Sequence, residues 1–325
     1  MYFRLLSCLT AATLSVGVLS SSAYAHVFPP KKSISLIVGF AAGGAADAAA
    51  RMIAKKLGDN IGQTVVVQNK AGAGGILAHQ QVANADSDGS VLLLGSVGPL
   101  TISPHLMKVP YDPFNDLAPL SGGVHFPNVL VVHKGVGATT LTEFIELAKS
   151  EPGRIDFASS GSGSASHLAG ELLNERAGVE MVHVPYRGGG QALQDLIGER
   201  VSSYFAAPPT AAPHIKTGAL IALATTGLER STDMPEIPTV AESGYPNFIA
   251  LNWYAFLGPG TMPEEIQERW NEELVKVLND PEIRQSLSAY GLAPQPTTRA
   301  KLTEFMKQES EQWGQTIKER GLKGE

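Results

Sequence analysis

Cysteine is almost missing from this chain: Cys8 is the single one in 325 residues, which excludes an internal disulfide and any cysteine-built metal site or redox pair. Charge is also sparse, at 17% of residues, and basic groups do not dominate it: 25 Lys and Arg face 31 Asp and Glu, a net of −6. That balance argues against nucleic acid and against an anionic membrane surface as partners. Catalytic signatures are lacking too. The serine-rich turn near Gly161 does not read G-x-S-x-G, the glycine-rich turn near Gly43 has neither the lysine of a phosphate-binding loop nor G-x-G-x-x-G spacing, and no H-x-x-x-H pair occurs. A hydrolase or a nucleotide enzyme is not encoded in familiar form, and neither a metal site nor a cofactor is expected. The eight histidines are scattered singly, so His79, His133 and His214 are read as surface or core residues rather than ligands.

What is present is a chain long enough for two ordinary domains, 43% hydrophobic, with material for a full core. Arg4, the apolar run Leu5 to Leu19 and the small-residue exit Ala23-Tyr24-Ala25 have the layout of a secretory signal peptide, assigned to residues 1–25. Leu5-Leu6-Ser7-Cys8 superficially resembles a lipoprotein box, but too little hydrophobic region precedes it. Beyond the signal no run reaches the ~18 to 20 apolar residues of a membrane span. A periplasmic location is therefore expected, with a mature net charge of about −7 once Arg4 is lost.

Strands and helices alternate. Ile34 to Val38 reads as a buried parallel strand, and Ala49, Met52, Ile53 and Leu57 lie on one face of the helix after it. Strands follow at Thr64 to Gln68 and Val91 to Leu94, the latter ending in a loop at Gly95 to Gly98. The segment Pro110 to Pro119 reads as the connector that crosses into a second domain. There the pattern restarts: strands at Val129 to Val132, Ile155 to Ala158, Met181 to Val184, Ser202 to Phe205 and Leu220 to Ala224, with a capped helix at Thr140 and Glu143 and a break at Pro208-Pro209. Trp253 to Leu257 is the returning strand, Thr261 and Glu264 are read as the cap of a helix whose Ile266, Trp270, Leu274 and Leu278 share a face, and a last helix runs from Thr298. The expected fold is α/β: two doubly wound domains, each a parallel sheet with helices on both faces, joined by two crossover strands, with the ligand cleft between them. Domain 1 takes residues 26–125 and 251–325, and domain 2 takes 126–250.

Two strand-to-helix turns organise this layout. Gly43 and Gly44 let the backbone bend ahead of one helix, and Gly161, Ser162, Gly163 and Ser164 do so ahead of another. Helix starts favour anions, so two such turns facing each other would clamp a small acid. Asp47 either caps its helix or orders water or a ligand ammonium. Ser162, Ser164 and Ser166 are either turn residues or carboxylate-binding hydroxyls; His167 is read as packing rather than direct contact. Tyr186 and Arg187 either line the cleft or sit in a solvated loop, and Trp253 and Tyr254 are read as interdomain packing.

In order along the chain, FAAGGAAD with Arg51, VVVQNKAGAGG, VPYDPFNDLAP, GSGSASHLAGELL, VPYRGGGQALQDLIGERV, MPEIPTVAESGYP and WYAFLGPGTMP resemble the Bug proteins, the substrate-binding family of tripartite tricarboxylate transporters. The resemblance implies a type II periplasmic binding protein without catalysis, which closes on one small carboxylate and passes it to a membrane permease. Carried over position by position, it implies ligand contacts from Phe40, Ala41, Gly44, Asp47 and Ser96 in the first domain, and from Gly161, Ser162, Gly163, Ser164, His167, Tyr186 and Ala206 in the second. Ala45 and Ala46 stand where many relatives carry proline or a hydroxyl residue. A monomer is expected. The alternatives are a ligand sensor for a signalling kinase and a secreted α/β enzyme acting on carboxylates.

Overall fold

The computed structural model describes residues 28–322, so the signal-peptide assignment and Cys8 lie outside the described residues. The first run comprises β1 (Ile34–Val38), α1 (Ala45–Ile61), β2 (Val65–Asn69), α2 (Ile76–Ala83), β3 (Val91–Ser96), α3 (Ser103–Leu106) and β4 (Leu117–Pro127). A second run comprises β5 (Val129–His133), α4 (Leu141–Ser150), β6 (Asp156–Ser159), α5 (Ala165–Ala177), β7 (Val182–Pro185), α6 (Gly189–Ile197), β8 (Ser203–Ala206), α7 (Pro208–Lys216) and β9 (Leu220–Thr225). The chain then returns through β10 (Leu251–Pro259), α8 (Glu264–Asn279), α9 (Pro281–Ala289), β11 (Ala293–Pro294) and α10 (Arg299–Arg320).

These strands form two sheets, of order β11-β4-β10-β3-β1-β2 and β7-β6-β8-β5-β9. Neither is wholly parallel, which corrects the expectation from strand-helix alternation. β1 is parallel to β2 and β3, but β10 returns from the second sheet and inserts between β3 and β4, antiparallel to both. In the other sheet β6 is parallel to β7 and β8, while β5 is antiparallel to β8 and β9. A chain that leaves one sheet and comes back must run against itself at the crossing.

Period-two alternation explains the near-continuous apolar strands. Ile34, Leu36 and Val38 of β1 face α1 and α8, where Ala49, Ile53, Leu57, Trp270, Leu274 and Leu278 are buried. Ile37, Leu93 and Leu257 face the opposite way, toward Ile76, Val82, Leu302 and Met306 of α2 and α10. Each fully buried leucine of this kind contributes roughly 1.5–3 kcal/mol.

Several local expectations change. Tyr111 donates its hydroxyl to Pro99 O at 2.8 Å, and Asp112 accepts from the backbone N–H groups of Phe114 and Asn115, so the proline-rich connector folds as a turn beside the first sheet. The crossing comes later, at the end of β4, a strand not anticipated because Ser121, Gly122 and Gly123 interrupt its apolar pattern. Pro208-Pro209 starts α7 rather than breaking the chain, since proline is tolerated in a helix's first turn. Thr261 does not cap α8: the N-cap position falls on Pro263, which has no capping side chain. Thr140 and Glu143 do form a reciprocal capping box on α4.

Candidate functional site

A cavity lies between the two sheets, at the carboxyl ends of β1, β3, β6 and β8. Parallel strands followed by helices deliver helix starts to this edge. Four converge here, of which α7 opens on Ala207 and Pro208-Pro209 and so offers no N–H from its first two positions. Gly44 is the N-cap of α1 with no side-chain cap, and it lines the cavity with Ala45 and Ala46. Ser164 caps α5, accepting from His167 N–H at 3.4 Å, and lines the cavity with Ala165 and Ser166. Gly189 brings the start of α6. First-turn amides have no intrahelical partner and carry the positive end of the helix dipole, so this convergence suits an anion.

The first turn is held from beneath. The Asp47 carboxylate accepts from Gly43 N–H at 3.1 Å and pairs with Arg51 at 2.9 Å. Burial alone would raise that carboxyl; hydrogen bonds from Arg51, Gly43 and Asn69 outweigh it and leave it below the ordinary carboxylate value. Asp47 is thus a brace for the turn, 6% exposed and not part of the cavity wall. Around the second turn, Ser166 Oγ accepts from Ser160 N–H at 2.9 Å and lies 3.0 Å from Ser164 Oγ.

His79 ties the third wall in place. Its Nδ1 is 2.9 Å from Gly75 O, and its Nε2 accepts from Ser96 N–H at 3.4 Å, which requires the neutral Nδ1-protonated ring. Full burial holds its pKa down to about 4. Ser96 closes β3 and runs through Val97 into a π-helical turn at Gly98–Ile102, instead of the loop expected there. Its Oγ is buried without a hydrogen-bond partner among the described residues.

Of the candidate contact residues singled out from sequence, Phe40, Gly44, Ser96, Ser164 and Ser166 line the cavity. Ala41 stands beside it and donates its N–H to Arg187 O across the cleft at 3.2 Å. Gly161, Ser162 and Gly163 pack on the main chain at Gly74 and Gly98 and on the Ser103 side chain of the first lobe rather than lining the wall. His167 is buried behind the turn, accepts from Gly163 N–H at 3.1 Å and stacks on His183 at 4.0 Å. Tyr186 donates its hydroxyl to Asp195 at 2.9 Å; burial and that carboxylate push its pKa up to about 12. Ala206 is fully buried between the lining residues Phe205 and Ala207.

Sequence reasoning missed much of the remaining wall: Asn128, Tyr204, Phe205, Thr210 and Asn252. The signal for the asparagines was a lone amide beside apolar strand runs. Tyr254, read as packing, lines the cavity while meeting Phe126 edge-on at 5.3 Å, and burial raises the hydroxyls of Tyr204 and Tyr254 well above their ordinary value. Trp253 points to the opposite face and donates to Glu309 of α10 at 3.0 Å, so its packing is within the first lobe. Among the described residues that line the cavity, none is Lys, Arg, His, Asp or Glu. No group of three or more His, Cys, Asp or Glu among the described residues is arranged to hold a metal ion, and no helix among them is long and apolar enough to cross a membrane.

Residues 49–322 match the family described as tripartite tricarboxylate transporter family receptor. The chain is 36% identical over 296 residues to the protein BugT of Bordetella pertussis, an alignment covering 90% of this chain and 91% of that one. Among solved structures it is similar to the periplasmic binding protein BugD, with a TM-score of 0.86, 32% identity and coverage of 90% and 99% of the two chains. It is similar also to MatC of Rhodopseudomonas palustris with bound malate, with a TM-score of 0.85, 29% identity and coverage of 89% and 99%.

Proposed function

The chain belongs to the tripartite tricarboxylate transporter family receptors, and on that premise we propose that it is a periplasmic receptor that encloses one small organic carboxylate and yields it unchanged to a membrane permease. The observation that carries this reading is the uncharged cavity into which α1, α5 and α6 direct their N-terminal ends. A carboxylate is held there by first-turn amides of α1 and α5 and by the hydroxyls of Ser160, Ser164 and Ser166. No ionised side chain competes for it. Malate in MatC is a ligand of this chemical kind. The moving bodies are residues 28–127 with 251–322 against residues 129–250, and ligand shifts an open-to-closed equilibrium because only the closed form lets helix starts from both lobes reach it.

No nucleophile paired with a base lines the cavity among the described residues, which favours capture over turnover. The test is native mass spectrometry and thermal-shift screening of the stripped mature protein against C4 to C6 mono-, di- and hydroxycarboxylates. A stabilising acid recovered chemically intact is the expected result. Recovery of an altered acid, or stabilisation by none of them, would sink the reading.

A further inference from the structure

Asn128 is the single residue between β4 and β5, where the chain passes from the first sheet to the second. Its backbone is fully engaged. Its N–H donates to Thr226 Oγ1 at 2.9 Å and its carbonyl accepts from Thr226 N–H at 2.9 Å. Thr226 in turn donates its hydroxyl to Ala250 O at 2.7 Å and accepts from Ala250 N–H at 3.0 Å. The outgoing and returning crossings are therefore stitched side by side at this residue.

The side chain is treated differently. Asn128 is 1% exposed and lines the cavity, yet its Nδ2 has no hydrogen-bond partner among the described residues. A buried amide donor left unpaired bears its whole desolvation penalty, so its presence calls for an acceptor from outside the chain. Thr226 fixes the backbone, and with it the place from which that donor is offered.

Resting on the carboxylate reading above, we propose that Asn128 is a specificity-determining residue that donates its side-chain amide to a second oxygen of the bound acid. The class selected is a carboxylic acid bearing a further acceptor oxygen, whether a hydroxyl, a keto group or a second carboxylate. A plain alkanoate leaves the amide unpaired. An ammonium group finds no side-chain carboxylate on the walls. Because the same residue forms the crossing, the second oxygen is read at the hinge itself.

The test is isothermal titration of the stripped full-length mature chain with butyrate, 4-hydroxybutyrate, succinate and malate, for the wild type and for Asn128→Leu. Wild type is expected to bind at least one of the three oxygen-bearing acids at least about tenfold more tightly than butyrate, and the succinate and 4-hydroxybutyrate arms tell a carboxylate from a hydroxyl as the second oxygen. Asn128→Leu is expected to lose roughly 10- to 100-fold for that acid, to leave butyrate within about twofold, and to melt no lower than wild type without ligand, because the lost donor had no partner. Asn128→Ala keeps the backbone bonds and removes the donor without adding a charge, and should lose the same preference should the leucine variant not fold. Equal losses for all four acids, or no loss, overturn the role of Asn128 and leave the receptor reading standing. Failure of the wild type to bind any of the four or any other acid of the C4 to C6 panel overturns both, and an acid found only in that panel takes the place of malate in the comparison.

Discussion

A methyl group on Gly74 would stand 2.2 Å from the carbonyl oxygen of Ser162, on the opposite side of the cleft. The same intimacy recurs nearby: a Cβ on Gly98 would lie 2.6 Å from Gly163 O, and one on Gly188 would lie 3.0 Å from Ala41 N. With the Ala41-to-Arg187 hydrogen bond, these contacts bring the two lobes together main chain to main chain.

Gly74→Ala is expected to obstruct that approach. Its backbone also has φ +61, where a Cβ costs about 1 kcal/mol. Affinity for the acid that wild type binds should fall at least about tenfold while the unliganded protein stays folded. Small-angle scattering of the ligand-saturated variant should keep the dimensions of the ligand-free protein. Unchanged affinity would show that the contact is dispensable for closure.

Asp47→Ala removes the acceptor that holds Gly43 N–H and leaves Arg51 without its partner at 2.9 Å. Because Arg51 is 55% exposed in its side chain, the ion pair itself contributes about 1 kcal/mol or less. The larger expected effect is on binding, roughly tenfold, through a loosened first turn. Urea unfolding and calorimetric titration on one preparation separate the two effects, and a variant that loses stability but not affinity would refute the bracing role.

His79 gives a pH dependence with a definite sign. Its pKa falls from an ordinary 6.5 to about 4 on burial, so the folded state binds fewer protons than the unfolded one between those values. Its contribution is fully present above pH 6.5 and is lost as pH falls toward 4, amounting to about 3 kcal/mol. Stability measured by urea unfolding at a series of pH values should show this slope in wild type and lose that portion of it in His79→Gln.

Trp270→Phe probes the core away from the cavity. The indole donates to Gly89 O at 3.1 Å and packs edge-on against Phe28 at 4.9 Å, and Trp270 is fully buried. Losing the donor and part of the ring should cost roughly 2 to 3 kcal/mol. Ligand affinity measured well below the melting temperature should stay within about twofold.

The fold was legible where chemistry is local. Ile34 to Val38 carries its own strand signal, Thr140 and Glu143 their own cap, and Gly43 and Gly44 a turn between strand and helix. What was not legible depends on the return of the chain. β10 enters the first sheet only because distant segments pair, and no periodicity in Trp253 to Leu257 states which partner lies on either side. The wall of the cavity divides likewise. Gly44, Ser96 and Ser164 sit at strand ends or helix starts that announce themselves, whereas Asn128 and Asn252 become neighbours of the cavity only through the crossing, and Tyr204 looks in sequence like any strand aromatic. Trp253 and Tyr254 show the limit plainly: adjacent residues on a strand face opposite ways, so only one of them reaches the cavity.

The atoms that meet between Gly74 and Ser162, and between Gly98 and Gly163, are shared by every amino acid. On the receptor reading, closure and taste are therefore written in separate scripts: as long as the glycines stay, the walls at Tyr204 or Thr210 are free to be rewritten for a different acid without redrafting how the two halves come together. A lock can be re-pinned for a new key in the same way, its barrel left as it was.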